Sequence, residues 1–159
     1  MLRIIMIGLL AIFIVMQFIQ PARNVGSELK NIATVFPIPP KANKILVESC
    51  YDCHSNNTNY PWYSRIQPAA WWMDGHVKEG KKRLNFSEFT AYPLYKQFHK
   101  LEEVTDEIEN DEMPLKSYNW IHPKMTSDDK IILLSWASAT RDKMKLMYPP
   151  DSLVKPSAR

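Results

Sequence analysis

The side chains best suited to chemistry in this chain of 159 residues are two thiols and an imidazole, in Cys50-Tyr51-Asp52-Cys53-His54. On one helical turn, residues three apart project to the same side, so both thiols can reach one edge of a flat cofactor. His54 follows directly, where its ring can turn towards a metal at the cofactor's centre. The spacing C-x-x-C-H is typical of covalent c-type haem. It predicts haem c attached at Cys50 and Cys53, with His54 as the proximal iron ligand.

Two other uses of such a motif are a zinc site and a redox disulfide. Both cysteines of the chain lie in this motif, and no second C-x-x-C or H-x-x-x-H supplies the remaining ligands of a structural zinc site. A thioredoxin-like disulfide is expected at the end of a strand, whereas the residues before Cys50 indicate a helix. The sequence therefore favours haem over both alternatives.

The N-terminal residues 1–22 are strongly apolar. After Arg3 the chain is uncharged from Ile4 to Ala22, a run of 19 residues. As a helix rising about 1.5 Å per residue, this run is long enough to span a hydrocarbon core of roughly 30 Å. A cleaved signal peptide is the alternative, but the run exceeds the usual apolar region of one, and no A-x-A site follows it. Residues 1–22 are therefore predicted to form a transmembrane anchor.

The remaining chain divides by composition. Residues 23–40 end in the proline-rich stretch from Phe36 to Pro40, which favours an extended path, so they are predicted to be a linker. Residues 41–148 are predicted to form the haem domain, and residues 149–159 a frayed C-terminal tail. Because bacteria attach c-type haem outside the cytoplasm, we expect the domain on the periplasmic side of the inner membrane.

Hydrophobic spacing predicts an all-α domain. Apolar residues fall three or four apart between Tyr92 and Glu109, which is typical of an amphipathic helix. Further helices are predicted from Lys41 to His54, from Ala69 to Arg83, and from Thr126 to about Met144. No stretch has the two-residue period of a strand, and no repeat suggests a second haem.

Residues after the motif are candidates for holding the cofactor. Trp62 or Tyr63 could donate a hydrogen bond to a haem propionate, and Arg65 could form an ion pair with one. The alternative is that these aromatic residues only pack and Arg65 is a surface charge. The carbonyl of Pro68 is the predicted acceptor for the second ring nitrogen of His54, which would orient the imidazole.

The sixth iron ligand is predicted to be Met113, which precedes Pro114 in a loop before the last helix. Ligation by Met and His raises the reduction potential and suits electron transfer. His76 is the second candidate, since it would give a bis-histidine site of lower potential, and His122 is the third. An open or water-bound position is the remaining alternative.

The overall charge excludes one class of partner. A formal net charge of +3, without a Lys or Arg cluster repeated along a face, does not indicate nucleic-acid binding. The densest basic group lies between Lys78 and Arg83. It is interpreted as a solvated helix face, with docking of an acidic partner as the weaker reading.

Several separate motifs together resemble the small bacterial haem-binding domain proteins, over about residues 40–140. They are Cys50-Tyr51-Asp52-Cys53-His54-Ser55-Asn56, Pro61-Trp62-Tyr63-Ser64, Leu84-Asn85-Phe86-Ser87-Glu88 and Glu112-Met113-Pro114-Leu115. The resemblance implies a monohaem domain, and more broadly the chain is similar to class I cytochromes c. It differs from them in an aromatic-rich middle and in the insertion of residues 120–123.

These observations predict a membrane-anchored periplasmic cytochrome c-like protein that carries single electrons between redox partner proteins, and not an enzyme. The alternative is a haem-based sensor or binding module that exchanges its distal ligand for a small gas. A peroxidase-like enzyme subunit is a weaker third hypothesis, since the chain has one haem motif.

Overall fold

A computed structural model describes residues 1–156 of the chain, and these form helices connected by loops, with no strand. The α-helices are α1 (Leu2–Met16), α2 (Pro40–Ser49), α3 (Tyr51–His54), α4 (Ala69–Arg83), α5 (Leu94–Glu109) and α6 (Ser127–Met147). Short 3-10 turns cover Ile32–Thr34, Trp62–Arg65, Phe86–Ala91, Tyr118–Trp120 and Pro150–Leu153. The prediction of an all-α fold is confirmed.

The N-terminal helix α1 is shorter than the apolar run that predicted it. It has 15 residues and ends at Met16, after which the side chain of Gln17 donates to the carbonyl of Phe13. Within residues 1–156, no helix combines the length and the apolar character needed to cross a membrane. The spanning helix predicted over residues 1–22 is therefore not supported.

Residues 23–40, predicted to be a linker, pack against the helices in part. Ile32 and Phe36 are almost completely buried in the hydrophobic core. The backbone of Lys30 accepts a hydrogen bond from the amide of Thr90 at 3.0 Å. The prolines do keep their stretch out of a helix, as expected, but two large apolar side chains before them gain more by burial than by exposure.

The predicted helix from Lys41 to His54 is interrupted at Cys50. There the backbone has φ −128° and ψ −44°, so α2 ends at Ser49 and α3 begins at Tyr51. The amide of His54 still bonds to the carbonyl of Cys50 at 2.9 Å, which gives the motif one helical turn. The two thiols and the imidazole are therefore presented by a single turn, which α2 connects to the core.

The core is built mainly from α5 and α6, which pack against each other, with α2 against α6. Leu101 and Leu133 are completely buried between these helices. The start of α6 has a capping box, in which the Thr126 hydroxyl accepts from the amide of Asp129 and the Asp129 carboxylate accepts from the amide of Thr126. This cap satisfies amides that the helix leaves unpaired and sets where α6 begins.

The C-terminal tail predicted over residues 149–159 is ordered in part. The turn Pro150–Leu153 follows α6, and Leu153 packs against the hydrophobic core. The last three residues, 157–159, lie outside the described part of the chain.

Candidate cofactor site

The C-x-x-C-H turn lies directly on the backbone of α4. A methyl group added at Gly80 would lie 2.6 Å from the carbonyl oxygen of Cys53, closer than any side chain tolerates. Only glycine therefore allows α3 and α4 to approach this closely. The contact fixes where the two thiols and His54 face.

The ring of His54 is oriented by the backbone carbonyl of Leu84, at the end of α4. Its Nδ1 lies 3.0 Å from the carbonyl oxygen of Leu84, and since a carbonyl only accepts, Nδ1 carries the hydrogen. The other nitrogen, Nε2, then keeps a free lone pair, as a metal ligand requires. The carbonyl of Pro68, the predicted acceptor, instead accepts from the amide of Trp72 at the first turn of α4.

Burial sets the protonation of the three motif side chains. It lowers the pKa of His54, although bonds to the carbonyls of Leu84 and Gly80 act in the opposite direction, so the imidazole is neutral at pH 7. Burial, and secondarily the neighbouring Cys53, raises the pKa of Cys50 to about 12. Burial and then Asp52 raise the pKa of Cys53 to about 11. The thiols are therefore protonated, unlike the reactive thiolate of a redox C-x-x-C.

Asp52, between the two cysteines, ties the motif to two other segments. Its Oδ2 accepts from the hydroxyl of Tyr118 at 2.9 Å, and its Oδ1 accepts from the amide of Asn59 at 2.9 Å. The Tyr118 hydroxyl also lies 2.9 Å from the carbonyl of Glu48 on α2. One carboxylate thus joins the loop after α3 and the loop before α6.

These segments enclose a cavity of about 870 Å³. Its wall combines the motif on α3, the cavity face of α4, the second half of α5 and the 112–122 loop. Val77, Val104 and Ile108 give it apolar surface, and both thiols and His54 line it. The described residues 1–156 contain no cluster of three or more His, Cys, Asp or Glu that could hold a bare metal ion.

All three predicted distal ligands line this cavity: Met113, His76 and His122. His76 Nδ1 lies 3.0 Å from the carbonyl of Trp72, one turn earlier in the same helix. His122 stacks on Tyr118 with ring centroids 3.9 Å apart, and its Nε2 lies 3.4 Å from the Tyr63 hydroxyl. The bond to Tyr63 engages Nε2 of His122, whereas His76 Nε2 makes no hydrogen bond to the described residues. Met113 is half-buried on the wall, and its thioether likewise makes no hydrogen bond there.

A backbone reversal after α5 aims Met113 at the cavity. Asp111 has φ 58°, in the left-handed region, and the amides of Glu112 and Met113 both bond back to the carbonyl of Glu107. This arrangement ends α5 and turns the chain back along the helix. Asp is among the few residues other than Gly that accept this conformation without a large cost.

Sequence reasoning missed one candidate, Met73. It lies on α4, three residues before His76, and lines the same cavity. The spacing of three with His76 was the available signal, since such residues share a helix face. Met73 thus places a second thioether on the part of the cavity wall that α4 forms.

The residues predicted to hold propionates separate into two groups. Tyr63 lines the cavity, whereas Trp62 and Arg65 do not: both are exposed beyond it. Two cations that the sequence did not single out for this purpose, Arg83 and Lys100, are on the wall instead. Arg83 Nε bonds Glu79 Oε1 at 2.9 Å, and Lys100 is paired with Glu103.

Comparison with known proteins supports a single family. A family model described as a haem-binding domain matches residues 11–139, which is most of the chain. Neither the curated proteins nor the solved structures include a significant match.

Proposed function

Because the chain belongs to the haem-binding domain family, we propose that this haem-binding protein holds one haem c covalently through Cys50 and Cys53. His54 is the proximal ligand in this proposal. One observation carries it: the bond from His54 Nδ1 to the Leu84 carbonyl leaves Nε2 as a free donor on the same cavity wall as both thiols.

The cavity fits such a cofactor in size and chemistry. Its volume of about 870 Å³ lies within the roughly 300–1,000 Å³ typical of small-molecule and cofactor sites. Apolar side chains suit the macrocycle, and two thiols and a neutral imidazole are the donor set of c-type attachment. Arg83 and Lys100 are the cations on the wall nearest in kind to propionate partners, in place of Arg65, and each would exchange its glutamate partner on that wall for a propionate.

We infer that the protein, with haem bound, is a one-electron carrier of the cytochrome c type. Haem supplies the redox change when bound. The Leu84 carbonyl orients the His54 ring. The 112–122 loop, which Tyr118 joins to Asp52, closes the cavity. Met113 is the proposed distal ligand, because the reversal at Asp111 brings its thioether to the wall and no hydrogen bond engages it elsewhere.

The location follows from the same chemistry. Thioether attachment takes place outside the cytoplasm, so we propose that the domain lies in the periplasm of a bacterial cell. We further propose that α1 holds it at the inner membrane. Large apolar side chains around α1, from Leu2 to Val15, are exposed in the described structure, and a bilayer would remove them from water.

A test of covalent attachment uses the full chain, produced in a bacterium with its haem-attachment machinery. The expected intact mass is that of the chain plus one haem, which stays with the protein in acidified organic solvent. The double variant Cys50→Ser, Cys53→Ser should lose this covalent haem. Haem that is fully extracted from the unaltered chain would contradict the proposal.

Carbon monoxide distinguishes the carrier from the ligand-binding module. A carrier keeps both axial ligands, so adding carbon monoxide to the reduced protein should leave its absorption spectrum unchanged. Ready binding of carbon monoxide would instead support the module that exchanges its distal ligand, with haem attachment unaffected.

A further inference from the structure

Exposed apolar side chains lie in two segments, residues 18–19 just after α1 and residues 62–72, which hydrogen bonds join at the end of that helix. We call them the apolar collar: Phe18, Ile19, Trp62, Ile66, Trp71 and Trp72. We propose that the apolar collar lies in the membrane–water interface, so that the domain rests on the lipid surface in a fixed orientation. This inference rests on the proposed membrane association of α1 and goes beyond it.

The exposure of α1 is not confined to one face. Residues on every side, including Ile5, Ile7, Leu9 and Ile12, expose more than half of their surface, and the helix carries no polar stripe. A protein groove covers only one stripe of a helix, whereas a helix that is apolar all round needs an apolar medium around it. A bilayer is therefore the occupant that matches this helix.

The base of α1 is joined tightly to the domain through Gln67, which is completely buried. The Gln67 side chain donates to the carbonyl of Ile19 at 2.7 Å, and its backbone amide donates to the side chain of Gln17 at 2.9 Å. The indole of Trp71 donates to the same Ile19 carbonyl at 3.0 Å. An apolar helix inserted in lipid would thus bring the start of α4 to the membrane surface with it.

The apolar collar has the composition of an interfacial belt. Three of its six members are Trp, and Trp62 and Phe18 expose 79% and 83% of their surface. Tryptophan favours the headgroup level, where its ring meets acyl chains and its N–H finds a partner. Isolated exposed apolar residues are ordinary, but these cluster in two segments that hydrogen bonds hold together.

Charge in the same segments suits anionic lipid headgroups. Residues 17–27 and 60–72 contain no Asp or Glu and two arginines, Arg23 and Arg65. The Arg23 side chain bonds the Ser64 hydroxyl at 2.9 Å and lies over the ring of Tyr60, which keeps it beside the apolar collar. Lysine and arginine near a membrane surface are attracted by its negative potential.

The orientation has a consequence for the cofactor site. Trp72 belongs to the apolar collar and also lines the cavity, next to Met73. With the collar at the lipid surface, this side of the cavity lies close to the membrane. Redox partners embedded in the membrane would then meet the protein from the side of Trp72.

Lipid photocrosslinking tests the placement with the full, haem-loaded chain in phosphatidylethanolamine and phosphatidylglycerol vesicles. The photoreactive residue p-benzoylphenylalanine replaces Trp62 or Ile66 in the apolar collar, Leu10 in α1, or Leu146. Leu146 is the matched control: it is 89% exposed near the end of α6 and is not part of the apolar collar. Intact mass identifies the adduct, and an unchanged haem spectrum confirms folding.

We expect lipid adducts at positions 10, 62 and 66, at least about tenfold more abundant than at position 146, because interfacial residues contact acyl chains. Lipid adducts at position 10 without any at 62 and 66 would overturn the apolar collar and leave the anchor in place. Protein adducts at 62 would overturn it in favour of a second copy or another protein. No lipid adduct at position 10 would overturn the anchor itself.

Discussion

The hydroxyl of Tyr118 donates to Asp52 Oδ2 at 2.9 Å, joining residues 66 positions apart across the edge of the cavity. The aspartate stands between the two cysteines, and the tyrosine lies in the loop that carries Met113 towards the wall. Burial and the nearby Asp52 carboxylate raise the pKa of Tyr118, so its hydroxyl is a donor throughout the physiological range. The loop that closes the site is thus held by the motif itself.

Tyr118→Phe should loosen this closure. It removes the one hydroxyl hydrogen that lies between the Asp52 carboxylate and the Glu48 carbonyl, and losing a partly buried hydrogen bond costs about 0.5–1.5 kcal/mol. We expect that loss in the free energy of unfolding by denaturant titration. The matched control is Tyr95→Phe, because Tyr95 is also half-buried and its hydroxyl makes no hydrogen bond to the described residues. Equal stability of the two variants would contradict the role given to the Tyr118 hydroxyl.

Gly80→Ala should disrupt the contact between α4 and the C-x-x-C-H turn. Its methyl group would lie 2.6 Å from the Cys53 carbonyl, and overpacking of this kind typically costs about 1–3 kcal/mol. We also expect less covalent haem per chain, measured by absorbance. Gly75→Ala on the same helix is the control for stability of the haem-free chain: nothing lies within 4 Å of its new methyl group, and alanine favours a helix over glycine by about 1 kcal/mol. Haem content is compared only with the unaltered chain, because Gly75 lines the cavity. A harmless Gly80→Ala would show that α3 and α4 can separate without cost.

Met113→Ala should change the iron's ligation. Without the thioether, the ferric low-spin spectrum should be lost and the reduction potential should fall, because Met/His ligation raises it. Met73→Ala tests the other cavity thioether, and Met125→Ala is the control outside the cavity wall. If only Met73→Ala alters the spectrum, Met73 is the ligand instead. If neither does, a histidine or an open site takes its place.

Thr126→Ala should shorten or loosen the start of α6. Loss of the capping hydroxyl costs about 1 kcal/mol of stability, whereas Thr126→Ser should retain most of it. The bonds from Thr126 hold the pKa of Asp129 below its ordinary value of 3.8. Because the folded pKa is depressed, this stabilisation is present above pH 3.8 and is lost as pH falls below it. Unfolding measured from pH 6 to about pH 2 should show the stability difference between the unaltered chain and Thr126→Ala becoming smaller at the acid end.

Regular helices could be predicted closely because their signals are local. The apolar spacing of α5 and the cap of α6 specify those helices, although α5 begins at Leu94 rather than Tyr92, since Pro93 occupies the cap. The helix carrying the motif was predicted as one piece, and the break at Cys50 was missed. That break depends on where α4 holds the turn, which no local pattern records.

Two other differences between the sequence-based expectations and the structure have the same origin. Residues 23–40 have the prolines of a linker, yet Ile32 and Phe36 are buried because the packed helices offer them an apolar site. Pro68 seemed suited to orient His54 by its place soon after the motif, but the acceptor is Leu84, where α4 ends. In each case the chain's partner is distant in sequence.

The sequence by itself determined the donor set: two thiols at a spacing of three followed by an imidazole, on a chain with an all-α pattern. The spacing of the two cysteines and the histidine, and the helical period of apolar residues, are properties of residues close together in the sequence. Both can therefore be recognised from the sequence alone. Only the tertiary structure decided which carbonyl orients His54, which side chains line the cavity and how Tyr118 closes it. These depend on contacts between residues 30 to 70 positions apart, whose pairing is selected by the packing of whole helices.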